Sequence, residues 1–273
     1  MNIAFAIKRL KIINRYYDDF LKNSEKMPAG RAGMWLRTIA STIIWGTSFS
    51  EYYGYRFWKK TRKEKKAYMT RREMFRFFDR YNPEQYRERI GNKSIAPQYY
   101  GELLKREQFT TAEGFAAFET FCKKYPRIFI KKIIGWGGEG SRIEDVSTQA
   151  QRKDIWKTLS DDVAIEPVIT NCSEIREFAP ESLNTVKITV LIVRGQPVVQ
   201  YALFRIGNRT RVDNVHLGGM GCGVNVETGI VETEAIDKHF RRYSVHPVSG
   251  KKSSDSSFRF GKKPLNWLKP LLL

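Results

Sequence analysis

Cysteine and histidine are scarce in this chain of 273 residues, which holds three of each. Cys122, Cys172 and Cys222 stand far apart with no Cys-x-x-Cys pair, and His216, His239 and His246 share no ligand spacing. That argues against a disulfide framework and a zinc site, and for a reducing compartment. Long apolar runs are missing too. The most apolar stretch, MWLRTIASTIIWG (34–46), is broken by Arg37 and falls short of the ~20 residues a membrane span needs. The N-terminus lacks the charged, apolar and small-residue order of a signal peptide, so a cytoplasmic location is expected. Acidic residues are outnumbered, 29 against 48 Lys and Arg, for a net charge of +19. Such a charge attracts polyanions: nucleotide phosphates, nucleic acid or an acidic membrane surface. Apolar residues as a class are not lacking. At 41% hydrophobic and 13% aromatic, the chain can build a core, and wholesale disorder is excluded.

The first ninety or so residues read as helices. Ile3, Ile7, Leu10, Ile13, Tyr17 and Phe20 recur at helical spacing, with Lys8, Arg9, Lys11 and Arg15 mostly off that stripe. A helix packed on the rest of the protein explains this pattern more economically than one lying on an anionic membrane, which would make the protein peripheral to that surface. The basic run FWKKTRKEKK (57–66) is more often a solvated helix face than a grip on nucleic acid. Thr70 with Glu73, and Thr110 with Glu113, form Thr-x-x-Glu capping boxes that open two helices. The first should end near Asn82-Pro83. The second carries Phe115, Phe118, Phe121 and Cys122 on one side, a core pattern. The style then changes to strands: RIFIKKII, SRIEDV, VAIEPVI, and a hairpin of NTVKITVLIV and VVQYALFRI joined by RGQP. Helices followed by mainly antiparallel strands make an α+β chain.

Four glycines, Gly135, Gly137, Gly138 and Gly140, fall within six residues after Lys131 and Lys132. A P-loop would end in Gly-Lys-Ser/Thr, whereas this stretch ends in Gly140-Ser141-Arg142. Residues 135–140 satisfy G-x-G-x-x-G, yet that dinucleotide pattern requires an apolar strand before it and a helix after it. Here the preceding strand holds two lysines and a strand follows. A third reading is a strand–loop–strand flap, in which a lysine meets phosphates and loop N–H groups close over them. A glycine-rich turn with no ligand fits this stretch alone equally well. Glu166 reads as an exposed carboxylate at a strand end, a place where an adenine edge can meet backbone groups and, more commonly, an ordinary strand-end charge. Lys187 and Arg205 lie on paired, otherwise apolar strands, and inward-facing cations there would need an anion. Asn214, His216, Gly218 and Gly219 follow closely in VDNVHLGG.

Taken in order, Asn92-Lys93, FIKKIIGWGGEG, IEPVI, LNTVKITVLI, YALFRI and VDNVHLGG resemble the ATP-grasp family, most closely its sugar-transfer-associated, alpha-L-glutamate ligase-related branch. The similarity runs from about Tyr68 to the C-terminus. It implies an ATP-grasp fold with a helical region over 1–88, a small lobe with the glycine flap over 89–165 and a second, incomplete lobe over 166–273. By this resemblance Lys93 and Lys131 match phosphate-binding lysines, Gly135 to Gly140 the flap, and Glu166 and Val168 the adenine hinge. Lys187 stands where relatives often have an arginine. Arg205 would meet the γ-phosphate or an acyl phosphate, and Asn214, His216, Gly218 and Gly219 would line the acceptor side. The implied reaction is ATP-dependent activation of a carboxylate for attack by an amine or similar nucleophile, in the setting of cell-surface polysaccharide modification.

One departure stands out. The family's Mg²⁺ is expected to be held by an acidic residue and a Glu-x-Asn segment, and no Glu-x-Asn occurs in this chain. Mg²⁺ takes carboxylates together with phosphate oxygens, so turnover without them should be weak or absent unless a further segment or a neighbouring polypeptide supplies them. Two alternatives therefore accompany the ligase: a protein that binds ATP without turning it over, and a basic adaptor on membrane or, less plausibly, on nucleic acid.

Overall fold

The computed structural model describes residues 3–23, 26–135, 138 and 140–252. Gly137 of the glycine loop and the tail beyond 252 lie outside the described residues. The chain divides into two compact units, one of residues 1–84 with 236–242 and the other of residues 85–235 with 243–273.

The first unit is helical: α1 (Ile3–Lys22), α2 (Arg31–Trp45), α3 (Phe49–Gly54), α4 (Arg62–Lys66) and α5 (Arg71–Tyr81). Ile13, Phe20, Met34, Tyr52, Tyr53 and Phe57 form its core. Phe240 joins them, its ring centroid 5.1 Å from that of Phe20. The inner stripe of α1 is thus packed through Ile13 and Phe20, as the economical reading expects, while Ile7 is exposed. Local signals set the helix starts. Ser48 and Glu51 exchange hydrogen bonds of 2.8 and 3.2 Å across the first turn of α3, and the Thr70 N–H donates to Glu73 at 3.1 Å. These contacts satisfy N–H groups that the first turn of a helix leaves without partners. Helix α5 stops at Tyr81, ahead of Pro83, whose ring restricts the residue before it.

The second unit holds α7 (Ala96–Leu104), α8 (Gly114–Lys124), α9 (Gln149–Thr158), α10 (Ser173–Arg176) and the strands, with α6 (Glu84–Gly91) at the boundary. One sheet comprises β1 (Phe109–Thr110), β2 (Arg127–Lys132), β3 (Arg142–Asp145) and β4 (Val163–Pro167) in the order β1-β4-β2-β3. Its pairs are antiparallel. Ile128, Ile130 and Ile165 pack against Phe118, Phe121 and Cys122 of α8, which makes the predicted aromatic stripe core. The other sheet is built on β5 (Thr185–Val193), β6 (Gln196–Ile206) and β7 (Met220–Val224), also antiparallel. Val186, Ile188, Ala202, Phe204 and Cys222 face its core. Two further strands, β8 (Ala235–Asp237) and β9 (Arg242–Tyr243), follow β7 in strand order, where the chain leaves and re-enters this unit. The β5–β6 turn is tighter than RGQP implied. Arg194 (φ 52°) and Gly195 (φ 76°) suffice, because two successive left-handed residues match the strand twist. No described helix is long and apolar enough to cross a membrane.

Candidate functional site

The glycine-rich segment is a hairpin. Strand β2 runs into it through Lys131 and Lys132, β3 leaves it antiparallel, and the Ser141 N–H closes the turn on the Gly138 carbonyl at 3.1 Å. Gly138 (φ 83°) and Gly140 (φ 71°) take left-handed conformations that other residues enter at a cost. A strand follows the loop, so the geometry of a dinucleotide-binding turn is absent here. A methyl group built on Gly138 would lie 3.9 Å from Val212 Cγ1, which brings the hairpin tip to the segment after β6.

Cations gather at the root of the hairpin. Alternation along β2 sends Ile128 and Ile130 into the core and Lys131 to the opposite face. On that face the Lys131 Nζ meets Glu166 Oε1 of β4 at 2.5 Å, both side chains being largely buried. Arg106, just after α7, reaches the same carboxylate, with Nη2 3.2 Å from Oε1 and Nε 3.1 Å from Oε2. That Nε–H is buried and out of hydrogen-bond geometry. Lys93 donates through Nζ to the carbonyls of Ile133 and Gly135, at 3.2 and 3.1 Å, and so clamps the start of the loop. Its own carbonyl accepts from Gln108. Burial, the largest influence, pulls the Lys131 ammonium below its usual pKa. Glu166 acts in the opposite direction, and Arg106 and Lys93 add to the lowering. Lys131 and Arg106 thus share one carboxylate while Lys93, near Lys131, holds the start of a loop of small residues, a cradle suited to polyphosphate oxygens.

One reading of this face needs correcting. Glu166 is buried, not exposed, because Lys131 and Arg106 close on its carboxylate. The Val168 N–H donates to the Arg127 carbonyl at 3.2 Å.

On the second sheet, Thr185 and Lys187 of β5 share the face opposite the core with Leu203 and Arg205 of β6 and Gly221 and Gly223 of β7. Lys187 is exposed there. The expectation of a buried cation in need of an anion therefore fails for this residue, because the second face of the sheet is open. Arg205 is held in place. Its Nε and Nη2 donate to Thr185 Oγ1 at 3.0 and 2.6 Å, the Thr185 hydroxyl donates to Asp213 Oδ2, and Asp213 lies 3.5 Å from Arg205 Nε. Burial raises the Asp213 carboxyl above its usual range, opposed by the bond from Thr185 and the charge of Arg205. Asn214 caps a short 3-10 turn over 215–217, its Oδ1 accepting from the His216 N–H at 3.0 Å, and His216 itself is exposed. Gly218 and Gly219 let this turn fold back. A Cβ on Gly219 would stand 2.3 Å from the Asp213 carbonyl oxygen.

The structure therefore brings Lys93, Lys131, Glu166, Gly135, Gly138 and Gly140 together on one sheet. It brings Lys187, Arg205, Asn214, Gly218 and Gly219 to the other, with His216 outermost in its turn. Arg106, Thr185 and Asp213 were not singled out from sequence. Asp213 was in view beside Asn214, but Arg106 carries no local signal. Among the described residues no group of three His, Cys, Asp or Glu side chains could hold a metal ion.

Comparison with curated proteins and with solved structures gives no match. A family model described as sugar-transfer associated ATP-grasp matches residues 72–258, more than half of the chain. The chain belongs to the sugar-transfer-associated ATP-grasp family, whose members are generally ATP-dependent ligases that bind ATP and typically Mg²⁺.

Proposed function

We propose that the second unit binds ATP with its phosphates on Lys93, Lys131 and the hairpin N–H groups, and activates a carboxylate for ligation. The observation that carries this reading is the pairing of Lys131 and Arg106 on the single carboxylate of Glu166, with Lys93 clamping the start of the glycine hairpin beside them. Glu166 and Val168 would serve the adenine side. Arg205, fixed by Thr185 and Asp213, and Lys187 beside it would take the charge on the transferring phosphoryl group. In the first step a substrate carboxylate oxygen bonds to the γ-phosphorus as the bond to ADP breaks. In the second, an amine or similar nucleophile attacks the acyl carbon, inorganic phosphate leaves, and the nucleophile loses its proton. Asn214, His216, Gly218 and Gly219 lie on the acceptor side. Modification of a cell-surface polysaccharide is the setting proposed, in keeping with a family described as sugar-transfer associated.

A second reading is binding without turnover, favoured by the lack of a metal-holding cluster among the described residues and of Glu-x-Asn in the sequence. Titrating the chain with ATP, with and without Mg²⁺, beside Lys131→Ala tests the shared premise. Removing one charge-assisted phosphate contact should weaken ATP binding by roughly tenfold or more. Equal affinity in both proteins would defeat the phosphate assignment. Mg²⁺-dependent phosphate release by the wild type would then exclude the second reading.

A further inference from the structure

Helix α2 is inverted relative to ordinary burial. Its inward face buries Thr38 and Ser41 beside Met34, whereas Leu36 (72% exposed), Ile39, Ile43 (69%) and Ile44 stand out on the surface. Isolated exposed apolar residues need no explanation, but an aliphatic stripe along one helix marks a contact surface. Helix α5 carries a second exposed apolar face. It buries no residue, carries Phe75, Phe78 and Tyr81 on one side and Arg72, Arg76 and Arg80 on the other, and leaves those aromatics exposed. The two helices meet at one corner, where the Arg72 guanidinium donates to the carbonyls of Ile43 and Ile44 at 3.1 and 2.9 Å. The same corner opens into a groove of about 550 Å³ lined by Arg9, Arg71, Arg72, Ser48, Phe49 and Phe75, among others, with no carboxylate among its lining residues. Arg9 lies over the Phe49 ring and Arg71 over that of Phe75.

We propose that this helical unit docks on an anionic lipid bilayer, inserting Leu36, Ile39, Ile43 and Phe75 at the headgroup boundary and taking lipid phosphates in the arginine groove. Charge selects the occupant. Residues 1–84 hold 19 Lys and Arg against 8 Asp and Glu, so a second copy of the same face would meet like charge. Nucleic acid would supply the anion, and the exposed rings of α5 could stack on its bases, but the aliphatic stripe of Leu36, Ile39, Ile43 and Ile44 would find no apolar phase against it. Aliphatic and aromatic residues beside arginines suit the acyl–headgroup boundary of a bilayer with negative surface potential.

The test is co-flotation of the full chain with vesicles of phosphatidylcholine alone and with about one part in four phosphatidylglycerol. The wild type should float with the anionic vesicles only. The double variant Leu36→Asp/Ile43→Asp should bind about tenfold less or worse, with unchanged circular dichroism because both side chains are exposed. Arg9→Gln/Arg71→Gln reads the charge arm independently, and should bind several-fold less with a flatter salt dependence. Failure of the wild type to float would overturn the proposal, as would flotation that a folded Leu36→Asp/Ile43→Asp leaves unchanged. Self-association, or capture of duplex DNA, that this variant abolishes would assign the face to another occupant and overturn it too. No outcome depends on the ATP site.

Discussion

Lys131 sits between opposing influences. Burial works against its charge, Glu166 sustains it, and Arg106 and Lys93 repel it. Because its pKa is lowered, the ammonium loses its proton at a lower pH than an exposed lysine does, and an anion bound beside it would draw the proton back. The expected consequence is ATP affinity that falls as pH rises through the alkaline range, starting below the ordinary lysine value. Lys131→Arg should flatten that fall, since a guanidinium stays charged. Calorimetric titrations between neutral and alkaline pH, in which the two proteins track one another, would refute the link. Glu166 supports the same cluster. Glu166→Ala leaves Lys131 and Arg106 without their common partner and should cost about 3 kcal/mol, the lower end for a broken buried pair because both cations keep some solvent contact. Chemical denaturation would measure it, and a loss within experimental error would show that solvent replaces the carboxylate freely. The strand pattern alone leaves Lys131 and Lys132 as alternatives, and the family resemblance selects Lys131. Arg106 is not legible in the sequence, because 60 positions separate it from Glu166 and only the strand order brings them together.

At the level of elements, local chemistry was the readable part. The Thr70 box, the aromatic stripe of α8 and the hairpin of β5 and β6 rest on local sequence patterns, and each forms as expected, whereas the Thr110 box caps a 3-10 turn over 111–113 that leads into α8 rather than α8 itself. Whether a strand-end side chain is exposed depends instead on what packs over it. Sequence alone reads Glu166 as exposed, and it is buried because Lys131 and the distant Arg106 close on its carboxylate. The open side of β5 and β6 was equally hidden, since alternation says which residues share a face and not whether anything packs on it. The turn after residue 214 joins the two levels. Gly219 passes so close to the Asp213 carbonyl that a methyl group would have to displace backbone. Gly219→Ala should therefore destabilise the second unit by roughly 1–3 kcal/mol and weaken the hold of Asp213 on Thr185 and Arg205. Gly101→Ala is the control, its methyl group meeting no atom within 4 Å and its backbone lying outside the left-handed region. Equal losses in the two variants would mean that crowding does not set the cost.

For the whole molecule, the feature furthest from the sequence is the return of residues 236–242 to the helical unit. Nothing in a short polar stretch near position 240 points to helices more than two hundred positions earlier, because the match is one of shape. Phe240 packs beside Tyr16 and Phe20, the His239 ring lies 2.7 Å from Asp19, and the Asn23 amide donates to the His239 carbonyl. The helical unit is therefore built from discontinuous chain, and residues 1–84 alone lack part of its core. Phe240→Ala should cost about 2–4 kcal/mol through the cavity left among those rings. The loss should be confined to one unit. In hydrogen exchange, amides of α1 to α3 should lose protection while those of β5 to β7 keep theirs. A fragment of residues 1–84 should be less protected still, lacking the whole segment. Uniform loss of protection across both units would mean that they unfold as one cooperative body. Protection in the fragment equal to that in the full chain would show that Phe240 fills space the helices can close without it.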